Sequence, residues 1–354
     1  MTRPTNVREI DTPAILIDVN RVQANIAKAQ AHADAIGVKL RPHIKTHKLP
    51  FFARRQLEAG AAGITCQKIG EAEVMADAGI VDIFLPYNIL GKEKLDRLYA
   101  LHQRITISVT VDNATSLEGL AKRFTNEGRP LKVLVECDTG MGRCGVQTPE
   151  EALELARQIE QSKGLKFGGL MTYPAAGKAE QTEQWLLTAR DLLAENDIQC
   201  ETISSGGTPD MWRSPTQSVV TEYRPGTYIY FDRYQVAKGA ATLDDCALTV
   251  LSTIVSHPTA DRAIIDAGSK SLSSDTLGLA DFGELAGKPE ARVTGLSEEH
   301  GTLKGDLAGL KIGDKVRVIP DHVCVVSNLF DEVHLISGDD VIDILPVAAR
   351  GKLK

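Results

Sequence analysis

The sequence predicts an α/β protein that consists of a (β/α)8 barrel and a second, mostly β domain. Over residues 38–222, short apolar runs rich in β-branched residues alternate with helical stretches. This alternation indicates parallel strands joined by crossover helices, and eight such units favour a barrel over the alternative, an open doubly wound sheet. After about Phe231 the helical periodicity fades, and turns rich in glycine and aspartate separate strand-like runs. We therefore assign residues 1–237 to the barrel and 238–354 to the β domain, on which the residues up to about Thr12 could also pack.

The chain opens with a strand and a helix. An apolar run at 14–17 follows Asp11-Thr12-Pro13. The next apolar positions recur at steps of three and four residues, which predicts a helix over 19–36 with one buried face: Val22, Ile26, Ala29, Ala33 and Ile36. Gly37 is well placed to end this helix.

The repeating units define the other predicted elements. The barrel strands are expected at 38–42, 63–66, 82–85, 106–111, 131–136, 167–172, 201–204 and 218–222. The helices between them are expected at 49–59, 69–78, 91–102, 114–127, 149–162 and 179–196, with only a turn or two in 209–217. In the second domain, strands are expected at 247–255, 262–266, 315–319, 322–326 and 332–336.

The composition excludes several classes of function. Of the 354 residues, 43% are hydrophobic and 25% are charged, which is ordinary for a globular protein. The net charge of −7 and the lack of a basic stripe interleaved with aromatics argue against nucleic-acid binding. No apolar run approaches the length that spans a bilayer, and residues 1–11 lack the apolar core of a signal peptide. The six cysteines form no CxxC pair, so we expect free thiols in a reducing cytoplasm.

A basic stretch, RPHIKTHK at 41–48, follows the first barrel strand. While the backbone stays extended, His43, Lys45 and His47 would share one face, because the side chains of a strand alternate. A lysine that is packed beside other cations and partly desolvated becomes a better amine nucleophile, which suits an imine with an aldehyde cofactor. A solvated basic turn explains the same residues without any chemistry.

The active site of a parallel barrel lies at the carboxyl ends of its strands, where the βα loops converge. The loop DTGMGRCG at 138–145 follows the fifth strand and contains Arg143, whose guanidinium can bind an oxyanion. Tyr173 follows the sixth strand. After the seventh, the small residues SSGGT at 204–208 could hold a phosphate through backbone N–H groups and hydroxyls. RPGTY at 224–228 follows the eighth strand.

Each of these segments also has an explanation that involves no ligand. SSGGT and DTGMGRCG could be tight connections, Tyr173 and Tyr228 could be core tyrosines, and Arg224 could be a surface ion-pair partner. The joint placement of a lysine, a phosphate loop and an arginine at one end of a barrel favours a phosphate-containing cofactor.

The β domain contains a candidate metal pair. His322 and Cys324 lie two residues apart in the predicted strand 322–326, so an extended backbone would direct both side chains the same way. Imidazole and thiolate suit zinc and accept other divalent ions, and two protein ligands leave coordination positions open for catalysis. An ordinary pair of strand residues is the alternative.

Several segments together resemble one enzyme family. These segments are DTP at 11–13, PHIKTHK at 42–48, CQKIGEAEVMADAGI at 66–80, DTGMGRCG at 138–145, SGGTP at 205–209, RPGTY at 224–228 and PDHVCVVSNLFDEV at 320–333. As a set they resemble the fold-type III pyridoxal-phosphate enzymes, which include alanine racemase. More closely, they resemble the group of D-threonine aldolases and D-serine dehydratases. The resemblance runs nearly end to end, through both domains.

The resemblance implies a role for each segment. Lys45 would bind pyridoxal 5'-phosphate covalently, Arg143 would contact its phenolic oxygen, and Tyr173 would lie near its ring. Arg224 lies where racemases place the arginine that faces the pyridine nitrogen, a position that varies among the aldolases. The phosphate site and further cofactor contacts would come from the two loops after the seventh and eighth strands: Ser204, Gly206, Gly207, Gly226, Thr227 and Tyr228.

The resemblance also implies the metal site. The group binds its metal through a histidine and a cysteine or aspartate two residues further on, which implies His322 and Cys324 as ligands of zinc, manganese or magnesium. The metal would bind the β-hydroxyl of the substrate and acidify it or help it leave. His43 and His300 are candidates for proton transfer or for support of the ligands, and solvent exposure of His300 is equally compatible with its position.

The implied activity is that of a lyase on D-β-hydroxy amino acids, with retro-aldol cleavage of D-threonine to glycine and acetaldehyde as the first expectation. Dehydration of D-serine or D-3-hydroxyaspartate to a 2-oxo acid and ammonia is the close alternative, which Cys324 favours. The added β domain argues against a non-catalytic pyridoxal-phosphate-binding protein. The lack of a recognisable tyrosine-base motif in that domain argues against a racemase. A homodimer is expected, with no nucleic-acid or membrane partner.

Overall fold

The computed structural model describes residues 3–213 and 218–354, so the end of the predicted segment 209–217 lies outside the described residues. The chain divides into two compact units. The first, here called the barrel unit, consists of Ala29–Lys45, Leu49–Gly226 and Lys352–Lys354. The second, the β unit, consists of the chain up to Lys28 together with Thr46–Lys48 and Thr227–Gly351.

Strand β1 (Ala14–Asp18) and helix α1 (Val19–Ala35) are the first regular elements after a short turn at Val7–Glu9. Four of the apolar positions that predicted α1 are buried, namely Val22, Ile26, Ala29 and Ala33, whereas Ile36 is half-buried and lies just beyond the helix. Gly37 has a φ of +72°, and Val38 N donates to Ala33 O at 3.0 Å. The helix therefore ends at a left-handed glycine, as predicted.

Eight parallel strands form the sheet of the barrel unit. They are β2 (Lys39–Leu40), β3 (Ile64–Thr65), β4 (Asp82–Leu85), β5 (Thr106–Val111), β6 (Leu131–Cys137), β7 (Leu165–Thr172), β8 (Thr202–Ser205) and β9 (Glu222–Tyr223). Their order is β2-β9-β8-β7-β6-β5-β4-β3. Most of these strands were predicted from continuous β-branched runs, which are typical of strands buried on both faces.

The two ends of this order meet. His43, just beyond β2, forms a parallel bridge with Thr65 of β3, and Thr65 N donates to Pro42 O at 2.8 Å. The sheet is thus closed, which confirms the predicted (β/α)8 barrel and excludes an open doubly wound sheet.

The eighth strand begins later than predicted. Its expected range was 218–222, whereas β9 covers Glu222–Tyr223. The reason is that a side chain takes hydrogen bonds that strand pairing would otherwise use. The Glu183 carboxylate accepts hydrogen bonds from the Ser218 hydroxyl and from Val219 N. These bonds hold the start of the segment away from its neighbouring strand.

Helices connect the strands of the barrel unit. They are α2 (Pro50–Glu58), α3 (Ile69–Asp77), α4 (Lys92–Arg104), α5 (Ala114–Arg123), α6 (Pro149–Glu160) and α7 (Ala179–Glu195). The start of α6 shows how the sequence specifies these ends: the Thr148 hydroxyl accepts from Glu151 N, and Pro149 occupies the first turn. None of the helices within 3–213 and 218–354 has the length and apolar composition that crossing a bilayer requires.

The remaining elements belong to the β unit. They are α8 (Arg233–Ala237), β10 (Leu248–Thr259), β11 (Arg262–Ile265), α9 (Ser269–Leu272), β12 (Gly283–Leu285), β13 (Lys288–Leu296), β14 (Gly301–Lys304), β15 (Lys315–Pro320), α10 (Val323–Leu329), β16 (Glu332–Ser337) and β17 (Asp340–Pro346). β10, β11, β14, β13, β12 and β15 pair in that order, and β15 returns to β10, so they form an antiparallel barrel. β1, β16 and β17 extend its sheet, which confirms a second, mostly β domain.

The predicted strand 322–326 is wrong, because this segment forms helix α10 from Val323 onward. His322 is the extended residue before the helix, and Val323 N donates to Asp232 Oδ2 at 3.2 Å. Asp232 Oδ1 also caps α8 by accepting from Gln235 N. One buried carboxylate thus satisfies the unpaired N–H groups of two helices, and this outweighs the strand preference of the valines.

Candidate active site

Lys45 lies in a short turn, Ile44–Thr46, just beyond the strand that closes the barrel. The backbone does not stay extended here, so the condition under which His43, Lys45 and His47 would share one face is not met. The Lys45 N–H donates to His43 Nδ1 at 3.3 Å, and His43 Nε2 pairs with Gln67 Oε1 at 3.0 Å. Because Nδ1 accepts a hydrogen bond, the ring proton lies on Nε2. His43 thus holds the turn that presents Lys45, and Lys45 is half-buried.

The turn that carries Lys45 lies beside the loop that carries Arg224. His43 N donates to Pro225 O at 2.9 Å, and Arg41 N donates to Tyr223 O at 2.9 Å. These bonds continue the pairing of β2 with β9. The joint placement of a lysine and an arginine at one end of the barrel, expected from the sequence, is observed here.

Arg224 is buried, with 5% of its surface exposed, so it is not a surface ion-pair partner. Its Nη1 donates to the Ser204 hydroxyl at 2.5 Å, and its Nη2 donates to Thr172 O at 2.7 Å. Burial lowers the pKa of Arg224 to about 10, while Glu222 and Glu136 oppose this shift. The guanidinium therefore remains a cation at neutral pH.

The loop after β8 has the form of a phosphate cradle. Gly206 has a φ of +102°, and a Cβ there would lie 2.3 Å from the Tyr223 ring. A Cβ at Gly207 would lie 3.0 Å from the Tyr173 ring. Within residues 3–213 and 218–354, no acceptor is bound to the N–H groups of these two glycines. A phosphate can approach this backbone closely because neither residue has a side chain, and the two N–H groups can donate hydrogen bonds to it. The loop therefore fits the phosphate of pyridoxal phosphate.

The Ser204 hydroxyl has protein partners on both sides. It accepts from Arg224 and donates to Glu222 Oε1 at 2.6 Å. The phosphate contact predicted for Ser204 stays a prediction. The other predicted phosphate residues, Gly226 and Thr227, follow Arg224 in the chain, with Gly226 buried and Thr227 half-buried. Tyr228 is fully buried.

The loop at 138–145 is held by its first aspartate. Asp138 Oδ1 accepts from Gly140 N at 2.9 Å and from Gly142 N at 3.1 Å. The exposed Arg143 places its guanidinium carbon 5.1 Å from the centre of the Tyr173 ring. Arg143 and Tyr173, both predicted to contact the cofactor, therefore lie together.

Sequence reasoning missed a buried carboxyl group, Glu136 on β6. Burial and the nearby Asp112 raise the pKa of Glu136 to about 7, against the opposing effects of Arg143 and Arg224. Its only sequence signal is a glutamate at the end of the apolar run 131–135. This glutamate is poised to change its charge near neutral pH.

The candidate metal pair is brought together in the β unit, although its backbone is a helix start and not a strand. His322 is the residue before α10, and Cys324 lies in the first turn. Burial lowers the pKa of His322, but hydrogen bonding to Cys324 and Asp275 outweighs this and raises it to about 9. His322 Nδ1 lies 2.9 Å from Asp275 Oδ2. An imidazole and a thiol in contact form a donor pair that fits a divalent ion.

Two hydroxyls flank the thiol of this pair. Thr46 Oγ1 lies 3.1 Å and Thr227 Oγ1 lies 3.6 Å from Cys324 Sγ. Neither contact is visible in the sequence. In the part of the chain that the structure describes, no three His, Cys, Asp or Glu side chains are grouped so that they could hold a metal. His300 is exposed in the turn between β13 and β14, and its predicted role stays a prediction.

Comparison with protein-family models identifies both domains. The model described as the N-terminal domain of alanine racemase matches residues 17–234. The model described as a putative serine dehydratase domain matches residues 247–336. The first match covers more than half of the chain. The chain therefore belongs to the alanine racemase-like family of pyridoxal-phosphate enzymes.

Similarity to individual proteins shows which group within this family the chain resembles most. A D-threonine aldolase of Arthrobacter sp. is 36% identical, over 97% of this chain and 93% of its own. The crystal structure of a D-threonine aldolase from Filomicrobium marinum has a TM-score of 0.90 and 30% identity, over 100% of both chains. A D-threo-3-hydroxyaspartate dehydratase with one cysteine replaced by alanine, described as the metal-free form, has a TM-score of 0.89 and 29% identity, over 97% of this chain and 99% of that one. The chain is thus a lyase of the group that contains these aldolases and dehydratases.

The burial of Glu136 generates a prediction about stability and pH. The pKa of this carboxyl rises from 4.5 to about 7 on folding, so below pH 4.5 both states are protonated and stability is highest. Between these values only the unfolded state ionises, which favours unfolding. We expect the stability of the cofactor-free wild type, relative to Glu136→Gln, to fall by roughly 3 kcal/mol from pH 4.5 to above pH 7.

Denaturant unfolding of both proteins across this pH range measures the effect. Glu195→Gln, which changes an exposed glutamate of α7, is the control. A difference between wild type and Glu136→Gln that does not vary with pH would show that Glu136 titrates normally.

Proposed function

We propose that this chain is a pyridoxal-phosphate- and divalent-metal-dependent lyase that cleaves D-β-hydroxy amino acids to glycine and an aldehyde, with D-threonine as a substrate. The observation that carries the proposal is the arrangement at the end of the barrel. There, Lys45, the buried cation of Arg224 and the Gly206-Gly207 cradle lie on neighbouring loops. The D-threonine aldolase of Arthrobacter, at 36% identity over nearly the whole chain, supports the choice of reaction.

The residues of the chain have distinct tasks in this proposal. Lys45 supplies the amine that binds the cofactor, and the backbone of Gly206 and Gly207 holds the phosphate. Arg143 and Tyr173, which lie together, contact the ring and its phenolic oxygen. Bound pyridoxal phosphate supplies the electron sink for the charge left on Cα. Because both ring nitrogens of His43 have protein partners, we assign His43 the task of positioning Lys45.

His322 and Cys324 are the proposed metal ligands, and zinc, manganese or magnesium would fit them. A divalent ion there supplies a Lewis acid for the β-hydroxyl of the substrate. The metal-free form described for the cysteine-to-alanine dehydratase supports a metal in this group of enzymes.

Dehydration is the second candidate function. The thiol donor of Cys324 favours it, as does the dehydratase at 29% identity over 97% of the chain. A D-serine or D-3-hydroxyaspartate substrate would then give a 2-oxo acid and ammonia. We rank the aldolase first because its curated relative is more similar.

The proposal also includes a homodimer, by analogy with the family, and a cytoplasmic location. Free thiols support the location: all six cysteines are unpaired with one another in the structure.

Product analysis separates the two reactions. D-Threonine, D-serine and D-3-hydroxyaspartate are incubated with the protein and pyridoxal phosphate, with and without chelator, and their L-enantiomers serve as controls. We expect glycine and acetaldehyde from D-threonine, and loss of the reaction with chelator. A 2-oxo acid and ammonia from D-serine or D-3-hydroxyaspartate would establish the dehydratase instead, and no turnover of any D-substrate would refute both.

Replacing the cofactor lysine tests the barrel site directly. Lys45→Ala should lose the visible absorption that wild type shows with pyridoxal phosphate, because the amine proposed to bind the aldehyde is gone. Lys92→Ala, whose side chain is 91% exposed on α4, should retain it. Visible absorbance after gel filtration is the measurement. Unchanged absorbance in Lys45→Ala would place the cofactor on another residue.

Removing the thiol tests the metal site. Cys324→Ala should lower the affinity for manganese by more than the 10-fold or so that loss of an outer contact costs, because one of two protein donors is gone. D-Threonine cleavage should fall with it and recover partly in excess metal. Cys200→Ala, in a half-buried position on the barrel unit, is the matched control. Equal metal content of the two variants after dialysis would contradict the assignment.

A further inference from the structure

A continuous line of polar side chains runs through the barrel unit, buried at Arg224, Ser204 and Glu222 and half-buried at Arg41 and Asp82. We call it the polar chain, and its links are hydrogen bonds: Arg224 Nη1 to Ser204 Oγ at 2.5 Å, Ser204 Oγ to Glu222 Oε1 at 2.6 Å, Arg41 Nε to Glu222 Oε2 at 2.6 Å, and Arg41 Nη1 to Asp82 Oδ1 at 2.7 Å. Ser204, Glu222 and Arg224 are all less than 7% exposed. Polar groups this deeply buried are costly unless each has a partner, and here each has one.

The polar chain joins the two ends of the barrel. Arg224 lies beyond the carboxyl end of β9, beside the loop of Lys45, whereas Asp82 is the first residue of β4. Arg41, Asp82 and Glu222 line a cavity of about 270 Å³ among the amino ends of the strands. Gly63 makes room for this arrangement, since a Cβ there would lie 2.1 Å from Arg41 Nη1. The chain of contacts thus leads from the candidate site to the opposite end of the barrel.

The direction of each hydrogen bond at Ser204 is fixed by chemistry. A guanidinium can only donate and a carboxylate can only accept, so the single hydroxyl proton of Ser204 is committed to Glu222. A lone pair of the same oxygen accepts from Arg224. A phosphate oxygen needs a donor, and Ser204 has no proton left to donate. Its hydroxyl therefore serves Arg224 and not a phosphate.

We propose that Ser204 and Glu222 are positioning residues, which hold the guanidinium of Arg224 against the cofactor ring, and that Ser204 is not a phosphate ligand. This inference rests on the proposed function, because it requires pyridoxal phosphate at Lys45. Glu222 acts through Ser204, and its negative charge also offsets the burial of Arg224. A cation held in place beside the ring disfavours protonation of the bound cofactor.

The two possible roles of Ser204 make different predictions for Ser204→Ala. A positioning role predicts a more mobile Arg224, so the midpoint of the pH-dependent change in visible absorption of the bound cofactor should rise by roughly half a pH unit or more. kcat should fall, while the Kd for pyridoxal phosphate stays within about three-fold. If Ser204 were a phosphate ligand, the reverse would be expected of Ser204→Ala: its Kd for pyridoxal phosphate would rise about 10-fold or more, and its midpoint would not change.

Glu222→Gln is the second variant, and it also guards against a failure of Ser204→Ala to fold. The amide keeps a hydrogen-bond acceptor for Ser204 but removes a negative charge, and that loss by itself disfavours protonation of the cofactor. We therefore expect a midpoint that differs from that of wild type and is shifted less upward than in Ser204→Ala. Ser108→Ala makes the same chemical change at a half-buried position that lines the cavity but does not belong to the polar chain. Its midpoint should match that of wild type.

Spectral titration and equilibrium binding of pyridoxal phosphate give both readouts, and circular dichroism confirms folding. A shifted midpoint with retained affinity in both variants supports the positioning role. An unchanged midpoint in a folded Ser204→Ala or Glu222→Gln protein overturns it, whether or not affinity falls. Wild-type protein that takes up no pyridoxal phosphate would instead refute the proposed function, on which this inference depends.

Discussion

The barrel unit depends on the pairing that closes its sheet. β2 is only two residues long, yet it pairs with β9, and the residues just beyond it bridge to β3. Closure removes the exposed strand edges, and it also decides which loops become neighbours. The first and eighth strands lie far apart in the sequence, but their loops emerge side by side. The meeting of Lys45 with the loop of Arg224 is a direct result of this closure.

Inside the closed barrel, the main constraint on ionisable side chains is the loss of hydration of their charges. Arg224 lies where burial works against its cationic form, and Glu136 lies where burial works against its anionic form. The structure treats these two groups differently. Arg224 is linked through Ser204 to a carboxylate, whereas Glu136 has a weak bond of 3.5 Å from the Thr110 hydroxyl and the carboxylate of Asp112 nearby. A permanent cation and a switchable acid therefore lie within one barrel.

Much of this arrangement could be predicted from the sequence. The failures share one physical cause, because each depends on a specific side-chain hydrogen bond that the sequence pattern does not show. The strands were recognisable because parallel strands buried on both faces are continuous β-branched runs. Lys45 and the glycine loop were recognisable because barrel sites lie at the carboxyl ends of strands. Helix α10 was missed because its N–H partner, Asp232, is 91 residues away. The turn at Lys45 depends on the ring of His43, and the role of Ser204 depends on Arg224, which neither periodicity nor spacing reveals.

The packing of Gly206 against Tyr223 has a consequence for how this family can diverge. The aromatic ring occupies the place where any side chain at 206 would begin, and the phenol hydroxyl donates to Gly207 O at 3.1 Å. A side chain at 206 would need a smaller residue at 223 and would still be strained by the φ of +102°, and a smaller residue at 223 would remove the hydroxyl that holds the loop. The residues that are acceptable at 206 therefore depend on the residue at 223, and this steric epistasis limits the substitutions open to the loop.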